Sequence, residues 1–380
     1  MYPTISDLLY DWFGVMIPLP IQSFGFMMAV AFIFAAIILY LELKRKHQEG
    51  LIPATTRKVL VGTPAKPTEM ILSGLFWFVV GFKLVGGIVD YDLFSDNPQD
   101  YVLSMQGHLF GGLIVGGVAA YMRYREKEKA RLKVPEWKEE TVLPQDITGN
   151  IVLIAAGFGI LGAKLFHNLE NLDELMRDPV DALLSFSGLT FYGGLIFAAI
   201  AVLYYGKKKN VDWRHMIDAA APALILAYGI GRIGCQLAGD GDWGIVNVAA
   251  KPDWLAFLPD WMWSFNYPHN VLNEGIPIPG CEGKHCMMLA QPVYPTPVYE
   301  TFMCLLIFAG LWFSRKRIKT PGLMFSIYLV FNGIERFFIE QIRVNTTYNI
   351  SGRLITQAEI ISVALFLLGC IGIWYFTKKK

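Results

Sequence analysis

Nine stretches of this 380-residue chain stay apolar long enough to cross a lipid bilayer, at roughly 24–43, 69–89, 107–122, 148–166, 189–206, 216–236, 299–314, 320–341 and 357–377. A helix needs about 20 residues for that crossing. Lipid offers no water to satisfy backbone N–H and C=O groups, so a spanning segment must be a helix or part of a closed barrel. Barrel strands alternate polar and apolar residues over about ten positions, and these runs do not alternate. The expected fold is therefore an all-α polytopic membrane protein of about nine transmembrane helices. Charged residues make up 17% of the chain, against about 25% in soluble domains. The net charge of +1 says nothing about partners beyond the bilayer, and no nucleic acid is expected among them.

Basic residues fix an orientation. The segments 44–66, 123–145, 207–214, 315–319 and 378–380 hold 24 Lys and Arg, whereas the alternate set 1–23, 90–104, 167–187, 237–297 and 342–356 holds five. Cytoplasmic loops are the basic ones, so the N-terminus is expected outside and the C-terminus in the cytoplasm. The start, "MYPTISDLLYDWFGVMIPLP", lacks a basic n-region and a small-residue cleavage site and reads as mature sequence. The longest external segment, 237–297, contains "DWLAFLPDWMWSF", which suits either an element lying at the membrane interface or a small cap with its own core. Within it Cys281 and Cys286 can pair in an oxidising compartment, remain free thiols, or hold a metal with His285.

The first half repeats itself. "GFKLVGGIVDYDLFSDNPQDYVLSMQGHLFGGLIVGGVAAYMRY" (81–124) and "GAKLFHNLENLDELMRDPVDALLSFSGLTFYGGLIFAAIAVLYY" (162–205) both open Gly-x-Lys-Leu and reach Gly-Gly-Leu-Ile after an acidic external loop. Each copy covers two spans, so the repeat is parallel. The expected organisation is one membrane domain over 1–380, with an extra two-helix unit at 67–124 resembling 148–206 and an external loop or cap at 237–297.

Four cations fall inside predicted spans: Lys83, Lys164, Arg232 and Arg336. Each lies toward the external end of its span. Such charges cost roughly 2.5–3.5 kcal/mol at the bilayer centre on insertion scales and usually mark function or pairing. The plainer reading is snorkelling to the outer interface, or pairing of Arg336 with Glu335 and Glu340. Arg232 is surrounded by glycines in "GIGRIGCQLAGDGDWG" (229–244), where small residues allow close approach. Asn332, Arg336, Glu340 and Arg343 fall on one stripe of "NGIERFFIEQIR" (332–343), at helical spacing. Guanidinium forks suit bidentate contact with phosphate, and several of them near the outer head-group layer imply an anionic ligand, of which a phospholipid is the nearest.

These residues resemble the prolipoprotein diacylglyceryl transferases of bacterial inner membranes. "SFGFMMAVAFIFA" (23–35) is similar to the family's first helix and "GLTFYGGLI" (188–196) to its His-Gly-Gly-Leu-Ile block. "GRIGCQLAGDGDWG" (231–244) is similar to its Gly-Arg-Ile-Gly signature. "YPTPVYE" (294–300) and "ERFFIEQIR" (335–343) are similar to its last two blocks. The resemblance implies transfer of a diacylglyceryl group from phosphatidylglycerol to the lipobox cysteine of a preprolipoprotein signal peptide, with glycerol phosphate leaving and the active site toward the periplasm. It implies no cofactor and no metal. Arg232 and Arg336 become the phosphate-handling pair, with Gly244, Glu340 and one of Asp240 and Asp242 as supports. Tyr192 stands where the family has its histidine, followed by Gly193 and Gly194. Asn332, Lys164 and His167 complete the expected substrate contacts, and His167 and then His108 are the further candidate bases. Cys235 and Phe24 replace a family Asn and Tyr. A lipid-binding or transporter-like relative without the chemistry is the alternative, although transporter sites usually lie at the midplane. No span carries a filter-like motif of a channel.

Overall fold

The computed structural model of the protein describes residues 1–15, 21–96, 98–184, 190–350 and 353–378. Gly188 and Leu189 of the "GLTFYGGLI" block, and the last two lysines of the basic tail, lie outside the described residues. In chain order the helices are α1 (Ile5–Phe13), α2 (Ser23–Gln48), α3 (Pro67–Val89), α4 (Tyr91–Asp96), α5 (Pro98–Leu103), α6 (Leu109–Lys129) and α7 (Thr148–Glu170). They continue with α8 (Leu172–Arg177), α9 (Pro179–Leu184), α10 (Phe191–Lys208), α11 (Trp213–Ala238), α12 (Thr296–Ser314), α13 (Leu323–Glu340) and α14 (Gln357–Lys378). Three two-stranded antiparallel ribbons join them: β1 (Thr55–Val61) with β2 (Glu136–Val142), β3 (Ile276–Pro277) with β4 (Met287–Met288), and β5 (Thr347–Ile350) with β6 (Arg353–Thr356).

A long helix stands at each place where the sequence predicts a span. Among the described residues six segments are long and apolar enough to cross a membrane: those of α2, α3, α7 with the turn before it, α11, α12 and α14. Helices α6, α10 and α13 are not among the six; the charges of α6 begin at Arg123 and those of α13 at Glu335, toward their C-terminal ends. Leucine, isoleucine and phenylalanine are exposed along α2, α3, α7 and α14, an apolar area that water would not tolerate and lipid would. The protein is a multi-pass helical membrane protein.

The chain divides into two compact units. The first comprises Met1–Pro53, Pro144–Val152 and Leu203–Lys380; the second comprises Ala54–Leu143 and Leu153–Val202.

In the first unit α11 is the most buried helix. Its small residues admit close neighbours: a Cβ added to Gly229 would meet Cys304 of α12 at 2.9 Å, and one added to Gly234 would meet Met27 of α2 at 3.0 Å. The basic end of this unit is tied by buried ion pairs. Asp218 of α11 accepts from the amides of Gly322 and Phe325 at 2.8 and 2.9 Å, which satisfies orphan donors at the start of α13, and Lys46 lies 3.8 Å from the same carboxylate. Glu42 joins Arg45 at 2.7 Å and Arg315 at 2.9 Å.

The segment 237–297 folds around a small core of Trp243, Tyr267 and Val293, with Met1, Phe265 and Leu289 packed against it. Trp254, Phe257 and Trp261 stay exposed on its outside. Cys281 and Cys286 form a disulfide, which leaves no thiol pair there for a metal.

In the second unit the two similar sequences have the same order of elements among the described residues. Each copy runs long helix, two short helices, long helix: α3–α4–α5–α6 and α7–α8–α9–α10. A Cβ on Gly81 would strike Val115 and the Gly111 carbonyl; one on Gly162 would strike Phe197 and the Gly193 carbonyl. The His108 amide donates to the Phe82 carbonyl at 2.9 Å, and the Thr190 amide donates to the Ala163 carbonyl at 3.1 Å. These pairs occupy equivalent positions of the two copies, so the Gly-Gly-Leu-Ile block is a seam that lets two backbones approach.

Candidate active site

Arg232 sits one and a half turns before the end of α11, which closes at Gly239 with a left-handed φ of 64°. That conformation favours glycine, and Gly241, at φ 93°, bends the chain again. The double turn returns Asp242 to the helix it has just left, and the Asp242 carboxylate pairs with Arg232 Nη1. The Thr296 hydroxyl, at the start of α12, holds the Asp242 carbonyl at 2.6 Å. Gly244 donates to the Tyr294 carbonyl at 2.8 Å and pairs across a β-bridge with Arg343. A Cβ there would meet Tyr294 at 2.9 Å and strike the Ile342 carbonyl, so the fold requires glycine beside Arg343.

The centre of this cluster is Glu300, one turn into α12 and fully buried. Its Oε2 engages Arg232 Nε and accepts from the Tyr228 hydroxyl at 2.8 Å. Its Oε1 accepts from Arg343 Nη1 at 3.1 Å and faces Arg336 Nη1 at 3.7 Å. Arg336 also pairs with Glu340 at 3.1 Å, one turn along α13, and Asn345 donates to Glu340 at 2.6 Å. Arg343 reaches the second oxygen of Asp242. The Arg232 guanidinium lies over the Tyr228 ring, 5.1 Å from its centroid, a cation–π contact that fixes the plane of the fork. Three guanidinium groups from two helices and the segment after α13 thus meet around one carboxylate. Leaving any one of them unpaired in an apolar layer would be expensive.

Burial, and then repulsion from Arg232, pulls the Arg343 guanidinium down to about 10, so it remains a cation at neutral pH. In the segment 237–297, burial and then the Asp240 charge push the Tyr267 phenol well above its usual value, and its hydroxyl donates to Gln236 Oε1 at 2.8 Å.

Arg232, Asp242, Arg336, Glu340 and Gly244 are brought together. Of the two candidate aspartates, Asp242 takes the arginines. Asp240 lies beside Cys235 and Asp242, with one oxygen buried and unbonded among the described residues. Cys235 is 3.7 Å from Arg232 Nη1, and Phe24 packs beside Gly234. Asn332 is half-buried on α13 and makes no side-chain hydrogen bond among the described residues. Lys164, His167, Tyr192, Gly193 and Gly194 belong to the second unit. There Asn171 bonds His167 at 3.2 Å, and Gly193 and Gly194 form the helix seam. His108 is spent as the N-cap of α6, accepting from the Gly111 amide at 3.0 Å. Lys83 is satisfied by the carbonyls of Tyr101 and Gln106, each at 2.7 Å. Sequence reasoning passed over Glu300, Tyr228 and Thr296 and left Arg343 at the edge. The signal for Glu300 was an acid one turn into an apolar run, in a chain with arginines in other spans to neutralise.

A family model described as prolipoprotein diacylglyceryl transferase matches residues 131–375. That stretch contains every residue of the cluster; α3 and α6 lie before it. Among curated relatives, the phosphatidylglycerol–prolipoprotein diacylglyceryl transferase of Clostridium tetani is 30% identical over 261 residues, covering 68% of this chain and 89% of the relative. Its counterpart from Corynebacterium glutamicum is 29% identical over 274 residues, covering 70% and 78%. That of Leptospira interrogans is 28% identical over 341 residues, covering 75% and 92%. With the family match spanning the α11–α12–α13 cluster and most of the chain, this protein belongs to the prolipoprotein diacylglyceryl transferase family.

Proposed function

We propose that the protein transfers the diacylglyceryl group of phosphatidylglycerol to the lipobox cysteine thiol of a preprolipoprotein and releases glycerol phosphate. The observation that carries this reading is the meeting of Arg232, Arg336 and Arg343 around Glu300, within the part of the chain that matches the family. In the reaction the thiol loses its proton and the thiolate sulfur attacks a glycerol carbon. The carbon–oxygen bond to the phosphate breaks, and the oxygen leaves with the phosphate. Negative charge gathers on that group, and guanidinium groups already fixed in place stabilise it without reorganising. Arg232 and Arg336 take that role, with Asp242, Glu340, Gly244 and Asn332 shaping the site. Tyr192 is assigned the proton transfer on its place in the family's motif, with Gly193, Gly194, Lys164 and His167 as acceptor-side contacts.

The reading includes nine spans, an external N-terminus, a cytoplasmic C-terminus and a site beneath a periplasmic cap in a bacterial inner membrane. Its supports are the helix at each predicted place and the lysines and arginines concentrated on alternate loops. Transfer from radiolabelled phosphatidylglycerol to a lipobox peptide tests it. Wild type should label the peptide, and Arg232→Ala and Arg336→Ala should lose at least about a hundredfold in rate, the scale of one lost transition-state donor. Normal rates in both variants would remove the phosphate role. In a strain depleted of its own transferase, rescue by wild type and not by Tyr192→Phe would make Tyr192 a participant.

A further inference from the structure

The cluster holds three cations, Arg232, Arg336 and Arg343, and three anions paired with them, Asp242, Glu300 and Glu340. Glu335, buried on α13 with neither oxygen hydrogen-bonded among the described residues, is paired with none of the three. Asp240 adds a fourth carboxylate within 4.8 Å of Asp242, so the cations do not outnumber the anions, and an arriving lipid phosphate must replace a resident anion or add an uncompensated charge to an apolar layer.

The three anions are not equally replaceable. The side chains of Glu300 and Glu340 are 0% exposed and emerge from helices, whereas that of Asp242 is 26% exposed and emerges from the turn after α11. Asp242 is anchored by its backbone carbonyl, which Thr296 holds, so its carboxylate can swing away by side-chain rotation alone. Its two oxygens are divided, one on Arg232 Nη1 and the other on Arg343 Nη2. A phosphodiester carries the same single negative charge on two non-bridging oxygens, and guanidinium forks accept either group.

We propose that Arg232 and Arg343 form the seat of the lipid phosphodiester, and that Asp242 is the internal anion which the lipid displaces. This rests on the transferase reading and moves the second phosphate-binding guanidinium from Arg336 to Arg343. Arg336, tied to Glu340 on its own helix, holds Glu300 in place instead. The exchange conserves charge for a phosphodiester and does not for the released phosphate monoester, which carries close to two charges at neutral pH.

The test measures binding of short-chain phosphatidylglycerol, and separately of inorganic phosphate, to purified full-length protein by calorimetry. Asp242→Asn removes the competing charge and should tighten the lipid about 10-fold or more, and Asp242→Ser should do the same should the amide pack poorly. Arg343→Gln should weaken the lipid by a similar factor, and in the double variant with Asp242→Asn the gain should vanish. Weaker lipid binding by both Asp242 variants would overturn the proposal, because Asp242 would then be orienting Arg232 rather than competing for it. So would unchanged binding in Arg343→Gln beside weakened binding in Arg232→Gln and Arg336→Gln, which would leave the transferase reading standing. Tightening of inorganic phosphate without tightening of the lipid would also overturn it. Lipid affinity indifferent to Arg232, Arg336 and Arg343 alike would remove the phosphate reading itself.

Discussion

The Tyr228 hydroxyl donates to Glu300 at 2.8 Å across the seam between α11 and α12, and the same carboxylate faces three arginines. One buried acid therefore sets the position of every guanidinium in the site. Glu300→Ala should cost about 3–5 kcal/mol of stability, the penalty for leaving buried partners uncompensated, and should abolish transfer. Glu300→Gln keeps the shape and the Tyr228 contact but releases the arginines from their common charge. It should unfold at a temperature closer to wild type while losing transfer nearly as fully. Thermal unfolding in detergent beside the transfer assay separates the two, and normal transfer by Glu300→Gln would contradict the central role.

Tyr228 acts on both members of the pair, through its hydroxyl on Glu300 and its ring on Arg232. Tyr228→Phe removes a hydrogen bond to a charged group, worth about 1.5–3 kcal/mol, and keeps the ring. Tyr228→Leu removes both. Transfer should fall in the order wild type, Phe, Leu, and equal loss in the two variants would mean that the ring contact contributes nothing.

Much of this was legible in the residues. Spans show because a bilayer demands about 20 apolar residues, and the helices stand where the runs predicted them. The repeat was visible as Gly-x-Lys-Leu and Gly-Gly-Leu-Ile, because a close seam admits no larger side chain. Arg232 and Arg336 stood out because charge in an apolar run needs a reason. Glu300 did not, since an acid near a helix start also reads as a residue at the interface. The choice of Asp242 over Asp240 was hidden too. It depends on how Gly239 and Gly241 turn the chain, and one residue's difference there is a matter of backbone geometry rather than composition.

The glycine seams separate scaffold from chemistry. A side chain at Gly111 would collide with Val85, and one at Gly193 with Phe166 and the Gly162 carbonyl. Overpacking of this kind costs about 1–3 kcal/mol, so Gly111→Val and Gly193→Val should destabilise their helix pairs alike. Gly193 follows Tyr192 directly, so only Gly193→Val should lower transfer by about 10-fold or more. Comparable losses in both variants would give the first copy a part in the reaction.

The Cys281–Cys286 bond closes a short loop in the segment 237–297. Loop-closure entropy assigns a loop of this size about 2 kcal/mol. Replacing both cysteines by serine should raise local opening of this loop by about 30-fold on that scale, read as faster tryptic cleavage at Lys284. Unchanged cleavage would mean that the hydrogen bond from the Ile278 amide to the Cys286 carbonyl suffices to hold the loop.

Residues 54–143 leave and rejoin the first unit at Pro53 and Pro144, and the ribbon β1–β2 pairs Thr55 with Val142 at that point. Paired residues of antiparallel strands lie about 4.5–5.5 Å apart, a gap that one or two residues can bridge. The excised segment would take α3 and α6 together, so the proposed orientation of every later span is preserved. It also lies almost entirely before the family match at residue 131. Joining Thr55 to Val142 through two glycines should therefore give a protein that inserts and transfers within about fivefold of wild type, because the Glu300 cluster keeps all its partners. A variant that inserts normally and transfers nothing would show that the first copy takes part in the reaction.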